Sequence, residues 1–242
     1  MQEEDLTGLQ IPLILGGYIS GRVVDEEGRP PQRSRFTLLR EDERNGRPEY
    51  IDDSGDHLVA ENGTFCSPPL AVGTYLLRLA GILRKPSAQD TSEPPHRLFQ
   101  KRVFDFLYPA AHDVREARGV PVQAGQKAPE LQITIPRPVW YTVRGKVTGT
   151  LPQDRTHISV MFARDFGALD QIGGGTGTRV QPDGSFEYMA QRGRYSAEIC
   201  EFTPPESTGR THLVRRFGTG TITVGDGDLS GVEIPVSSES QS

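Results

Sequence analysis

Asn62-Gly63-Thr64-Phe65, followed by Gly73-Thr74-Tyr75, is the stretch that decides the fold. The chain spells it again as Asp183-Gly184-Ser185-Phe186, followed by Gly193-Arg194-Tyr195. An Asn-Gly or Asp-Gly pair suits the positive-φ positions of a tight hairpin turn. Two further markers frame the pair. Tyr18-Ile19-Ser20-Gly21-Arg22-Val23-Val24 returns as Tyr141-Thr142-Val143-Arg144-Gly145-Lys146-Val147, and Val122-Gln123-Ala124-Gly125 returns as Ile222-Thr223-Val224-Gly225. Four markers in one order predict two copies of one β module.

Composition agrees with short strands joined by many turns. Of 242 residues, 27 are glycine and 19 are proline, and hydrophobic residues make up 35%. That length suits two domains, each large enough for its own core without metal or disulfide staples. The formal net charge of −5 is spread along the chain. No basic stripe offers a footprint for phosphate, so nucleic acid is not an expected partner. Met1-Gln2-Glu3-Glu4-Asp5 is acidic where a secretory signal begins basic. The apolar run Ile11–Leu15 is too short to span a bilayer. Cys66 and Cys200 fall one in each copy. A bridge between them needs both at the domain interface, so they read as buried or inert thiols.

Period-two alternation places strands at Tyr18–Val24, Phe36–Leu39, Gly73–Ala80 and Val103–Tyr108 of the first copy. Val120–Val122 and Leu131–Ile135 read as a closing pair around Gly125. Residues 40–57 read as a long hairpin or surface loop, and residues 84–98, with Pro86, Pro94 and Pro95, as a surface insertion. The second copy repeats this with Val143–Val147, Ile158–Phe162, Tyr195–Ile199, Thr221–Val224 and Val232–Pro235. No segment keeps a helical period over a full helix length, and regular short strands predict all-β sandwiches. Phe65, Tyr75, Leu77 and Leu79 belong in the first core; Phe186, Tyr195, Ala197 and Ile199 belong in the second.

The expected organisation is an N-terminal extension (1–15), a first sandwich (16–136), a linker (137–139), a second sandwich (140–237) and a tail (238–242). Pro136-Arg137-Pro138 fixes φ twice and makes the connection short and semi-rigid. End-to-end modules follow from it. Trp140, the only tryptophan, is expected in a core or at the domain junction.

No reaction centre assembles from the sequence. His57, His96, His112, His157 and His212 are dispersed, without metal-ligand spacing. Asp52, Asp53 and Asp56 are the best oxygen cluster for a hard cation, but they lack the spacing and distal Glu of a calcium loop. Gly173–Thr178 lacks the Lys-Ser or Lys-Thr of a phosphate loop and reads as a flexible hairpin. The expectation is therefore a chain with no catalytic residues and no cofactor.

Two kinds of partner remain. Leu9, Ile11, Leu13 and Leu15 lie outside the repeated unit and form the natural donor strand for an open sheet edge, on another protein or another copy of the chain. A glycan is the alternative, stacked on Trp140, Tyr50, Tyr108 or Tyr188.

Ser20-Gly21-Arg22-Val23-Val24 followed by Asp25-Glu26-Glu27-Gly28-Arg29-Pro30 is similar to the start of a carboxypeptidase regulatory-like domain. Asn62–Phe65 with Pro69–Tyr75 resembles that family's middle, and Phe106–Pro109, Val122–Gly125 and Leu131–Ile133 resemble its end. The second copy matches more loosely, through Arg144–Val147 and Asp183–Phe186. The resemblance implies an all-β chain of two tandem Greek-key β-sandwiches, Ig-like or prealbumin-like. It implies a non-catalytic accessory of extracellular, cell-surface or periplasmic proteins, with a structural or protein-interaction role.

Overall fold

A computed structural model describes residues 16–44, 47–84, 102–152, 155–167, 176–203 and 212–237. The donor-strand residues Leu9, Ile11, Leu13 and Leu15 lie outside them.

The chain is all-β. In the first half, β1 (Ser20–Asp25) sits between β4 (Thr64–Cys66) and β8 (Leu131–Ile135). The facing sheet runs β3 (Arg47–Leu58), β2 (Arg33–Arg44), β5 (Gly73–Ile82), β6 (Val103–Leu107), with β7 (Val120–Val122) also on β5. In the second half, β9 (Tyr141–Thr148) sits between β12 (Ser185–Ala190) and β15 (Leu229–Pro235). Its facing sheet runs β11 (Thr176–Arg179), β10 (Ile158–Asp165), β13 (Gly193–Phe202), β14 (Leu213–Val224). The pairing scheme is the same in both halves, down to a parallel pair of first and last strands, β1 with β8 and β9 with β15.

Each sequence marker is a local backbone device that occurs in both halves. The Asn62 carboxamide oxygen accepts from the Thr64 N–H and hydroxyl, as the Asp183 carboxylate accepts from those of Ser185. Gly63 and Gly184 take φ of 85° and 88°, and their carbonyls accept from Val23 and Val147 of the first strands. Gly21 and Gly145 leave room for the rings of Phe65 and Phe186. Tyr75 donates its hydroxyl to the Ala71 carbonyl and Tyr195 to that of Gln191, 3.0 Å in each case.

Burial alternates as the pleat requires. One apolar cluster contains Phe36, Phe65, Tyr75, Leu77, Leu79 and Ile133; another contains Val143, Phe162, Phe186, Tyr195, Ala197 and Ile199. A fully buried side chain of this size contributes about 1.5–3 kcal/mol. All eight expected core residues fall in the expected cluster.

Several expectations need correction. The closing segments do not pair with each other. β7 joins β5 while β8 joins β1, and likewise β14 joins β13 while β15 joins β9. The turn after Val122, with Gly125 at φ 66°, carries the chain from one sheet to the other. Thr176–Thr178 belongs to β11 rather than to a loop, whereas residues 40–57 take the first of their two expected forms, the long β2–β3 hairpin.

Candidate functional site

The halves differ most in their sixth strand. β14 is continuous, whereas the first half interrupts the same position between β6 and β7 with an excursion that includes a single 3-10 turn, Val114–Glu116. The second half docks at that interruption. Ile158, Val160 and Phe162 face the second core along β10, and Arg164 continues their phase at the strand's end. Phe166 follows, 1% exposed, and enters a groove of Leu39, Leu76, Leu107 and Ala111 from the first half. Leu76 alternates with the inward Leu77 on β5, so this groove lies on the outer face of the first half's larger sheet. The halves therefore meet by an end of the second sandwich seated on a face of the first, not end to end.

The docking also covers a sheet edge. Among the described residues, apart from a bridge between Leu107 and Ala111 at its end, β6 pairs only with β5, and its partner-side hydrogen bonds use Arg102 and Tyr108, which leaves the Val103 and Asp105 carbonyls pointing outward. Gln191 Nε2 donates to Val103 O at 2.7 Å, and Arg164 Nη1 donates to Asp105 O at 2.9 Å. Two side chains thus occupy successive outward carbonyls of an edge strand, as an added strand does.

Arg164 is the hub. It also donates to Gln191 Oε1 at 3.2 Å and the Arg192 carbonyl, and it lies 3.1 Å from His112 Nδ1. Its guanidinium stands over the rings of Phe166 and Tyr195, 5.4 and 5.5 Å from their centroids. Arg78 stands over Phe166 at 5.3 Å and grips Asp105 with two hydrogen bonds of 2.9 and 2.6 Å. Burial, with Arg164 and Arg192 alongside, pushes the His112 pKa down to about 4, so its ring is neutral and accepts from Arg164. Burial pushes the Tyr195 hydroxyl up to about 12.

Beside this hub a cleft of about 500 Å³ opens between the halves. Ala80, Ile82 and Val103 form one wall; Phe162, Tyr188 and Trp140 form the other. Trp140 thus takes the expected junction position.

The other expected site residues lie apart from it. Asp56 accepts from Thr37 Oγ1 at 2.6 Å and pairs with Arg35 at 3.1 Å. Asp52 accepts from the Gly55 N–H at 2.8 Å. Both lie on β3, whose pairing with β2 shifts register there, and the side chain of Asp53 is outside the described residues. No group of three or more His, Cys, Asp or Glu poised for a metal occurs among the described residues. Tyr108 packs against the first core, Tyr50 packs beside the Phe166 groove, and Tyr188 lies flat on Phe162 at 4.0 Å with its hydroxyl 2.6 Å from Thr176. Only Trp140 and Tyr188 of the four aromatics share the cleft. Both cysteines are free; Cys200 is buried but Cys66 is exposed.

No protein-family model matches the sequence, and a search of curated proteins finds no match. Among solved structures, the chain is similar to the Bacillus anthracis TIE protein at 9% identity and a TM-score of 0.28, over 92% of this chain and 34% of that one. It is similar to a streptococcal ancillary pilin at 12% identity and a TM-score of 0.32, over 93% and 63%. GBS52, the minor pilin of Streptococcus agalactiae, gives 9% identity and a TM-score of 0.31, over 93% and 98%. The chain thus spans a third of the first of these proteins and less than two thirds of the second. At these scores the fold rests on the strand pairing and burial above, not on the likeness.

Proposed function

We propose that the chain is a non-catalytic, rigid pair of β-sandwich modules (residues 16–136 and 140–237, joined by 137–139) with a structural or protein-interaction role outside the cytoplasm. The modules are of the carboxypeptidase regulatory-like type that the Gly-Arg-Val-Val and Asn-Gly-Thr-Phe motifs resemble. The observation that carries this reading is the docking of the second half on the first. Phe166 fills the groove, while Arg164 and Gln191 occupy the outward carbonyls of β6. Arg164 Nη1 and Gln191 Nε2 are engaged in holding the two halves together, which is what a spacer or scaffold needs. The linker adds to this, because the Arg137 N–H donates to Glu26 at the turn after β1.

Strand addition belongs to the same reading, with a specific acceptor. The β6 edge is occupied, so an incoming strand needs another edge. Among the described residues β14 pairs only with β13; Ser237 occupies the Phe217 carbonyl, and the start of the strand exposes Leu213 (45%) and Val214 (56%) beyond that contact. The apolar segment Leu9–Leu15 of a second copy is the donor. Light scattering of the full chain and of a chain lacking residues 1–15 tests this. Oligomers that vanish with the deletion support strand exchange, and identical monomers end it. Small-angle scattering tests the spacer independently: one rigid shape supports it, and a broad distribution of inter-module distances contradicts it.

A further inference from the structure

Beyond the Phe166 groove, the outer face of the first half's larger sheet continues as an open floor. Strand register sets Leu58, Arg35 and Ala80 side by side in one row, and Arg33, Ile82 and Val103 in the next. All six line the cleft between the halves, and Trp140 stands on its opposite wall. Neighbouring strands lie about 4.8 Å apart, so the floor from β3 to β6 spans about 14 Å, which about four residues of extended chain cross. Leu58 is 85% exposed, more than any other large apolar side chain among the described residues. It closes an edge strand and the fold does not cover it.

Charge at this end of the sheet is one-sided. Arg33 is exposed and meets no carboxylate among the described residues. Arg84, just past β5, donates to the Pro30 carbonyl at 2.9 Å. Arg102, just before β6, donates to the Leu83 carbonyl at 2.8 Å and to Gln32 Oε1 at 2.5 Å. The nearby carboxylates are engaged elsewhere: Asp56 by Arg35 and Thr37, Asp105 by Arg78, and Asp25 and Glu27 by Arg29. An apolar floor is therefore rimmed by guanidiniums that have only neutral partners or none. An extended segment carrying both acidic and large apolar side chains complements both features. Its carboxylates accept from the exposed guanidiniums, and its apolar side chains cover Leu58, Ile82 and Val103. A basic segment is repelled there.

We propose that this floor docks an acidic, apolar-anchored segment of a protein partner, lying in extended form across the strands from Leu58 to Val103 and against Trp140. The proposal names a kind of partner for the interaction role above. It rests on the rigid pairing of the halves, because the floor belongs to one half and Trp140 to the other.

Selection of a random dodecapeptide display library on the immobilised full chain tests it. Enriched sequences are expected to combine two or more Asp or Glu with Leu, Phe or Trp. Fluorescein-labelled copies of them, titrated by anisotropy, are expected to bind about three- to tenfold more weakly to Arg33→Glu, the loss for reversing one exposed charge. Leu58→Ser is expected to cost tenfold or more, roughly the loss of covering one leucine. Both side chains are exposed, so both variants should melt as wild type does. Arg22→Glu, on β1 of the other sheet, should leave the affinity unchanged. No enrichment, enrichment of sequences without acidic residues, or an affinity that neither Arg33→Glu nor Leu58→Ser lowers overturns the proposal. So does self-association that Arg33→Glu and deletion of residues 1–15 both abolish, since the occupant is then the acidic leader Glu3-Glu4-Asp5 of a second copy. Small-angle scattering separates the two readings. Failed selection on a chain of one rigid shape ends the docking alone, whereas a broad distribution of inter-module distances removes the pairing beneath it.

Discussion

Replacing Phe166 by alanine separates the stability of the junction from the stability of the modules. Phe166 is 1% exposed, yet it belongs to neither of the two main apolar clusters. Its groove is formed by Leu39, Leu76, Leu107 and Ala111 of the first half, while its own backbone belongs to the second. Burying a phenylalanine side chain contributes about 1.5–3 kcal/mol from area alone. The cavity left behind raises the usual cost of Phe→Ala to about 3–5 kcal/mol. The guanidinium groups of Arg78 and Arg164 on its ring add about 0.5–1 kcal/mol each at a partly exposed site. We therefore expect a loss of about 3–5 kcal/mol, drawn from the coupling between halves rather than from either core. Guanidinium unfolding followed by Trp140 fluorescence and by far-ultraviolet circular dichroism measures it. The wild-type chain is expected to unfold with coincident transitions, and Phe166→Ala with two separated ones. Coincident transitions in the variant, with a loss below about 1 kcal/mol, refute the reasoning.

Three further predictions follow from local geometry. The depressed pKa of His112 favours its neutral form in the fold, so its contribution is present above about 6.5 and is lost as pH falls through about 4. It amounts to at most about 3 kcal/mol, less after solvent screening, and urea melts at pH 7 and 4.5 should show a smaller pH effect in His112→Gln than in wild type. Gly63→Ala places a Cβ 2.4 Å from the Val23 carbonyl at φ 85°, whereas the nearest atom at Gly184 is 3.2 Å away. The first substitution is expected to cost about 2–3 kcal/mol and the second about 1–2, read as melting temperatures. Cys66 is exposed and Cys200 is buried with its thiol pushed up by burial and by Glu198. Iodoacetamide should label Cys66 in the native protein and Cys200 only after unfolding.

The fold was legible where its determinants are local. The Asn62-Gly63 and Asp183-Gly184 turns, the Tyr75 and Tyr195 hydroxyls and the Gly21 and Gly145 contacts are each made within or beside one strand pair, and so each left a sequence marker. Pairing partners were less legible. Alternation locates β7 and β8 but does not say which sheet each joins, so nearness in sequence suggested a hairpin that the Gly125 turn instead splits between sheets. The junction was the least legible part, because Arg164, Gln191 and Phe166 act on residues of the other half. One signal was present. Ile158, Val160 and Phe162 set an inward phase on β10, and Arg164 places a charge on that same phase. A cation in core register at a strand end marks the position where the core stops and a contact begins.

The central claim is that one docking geometry holds the two modules as a single body. Backbone amide residual dipolar couplings of the full chain test it most directly, with the strands of 16–136 and of 140–237 fitted separately. Our account predicts one alignment tensor, with the same magnitude and orientation for both halves. Tensors that differ in magnitude or axis contradict it, because modules that move independently align independently.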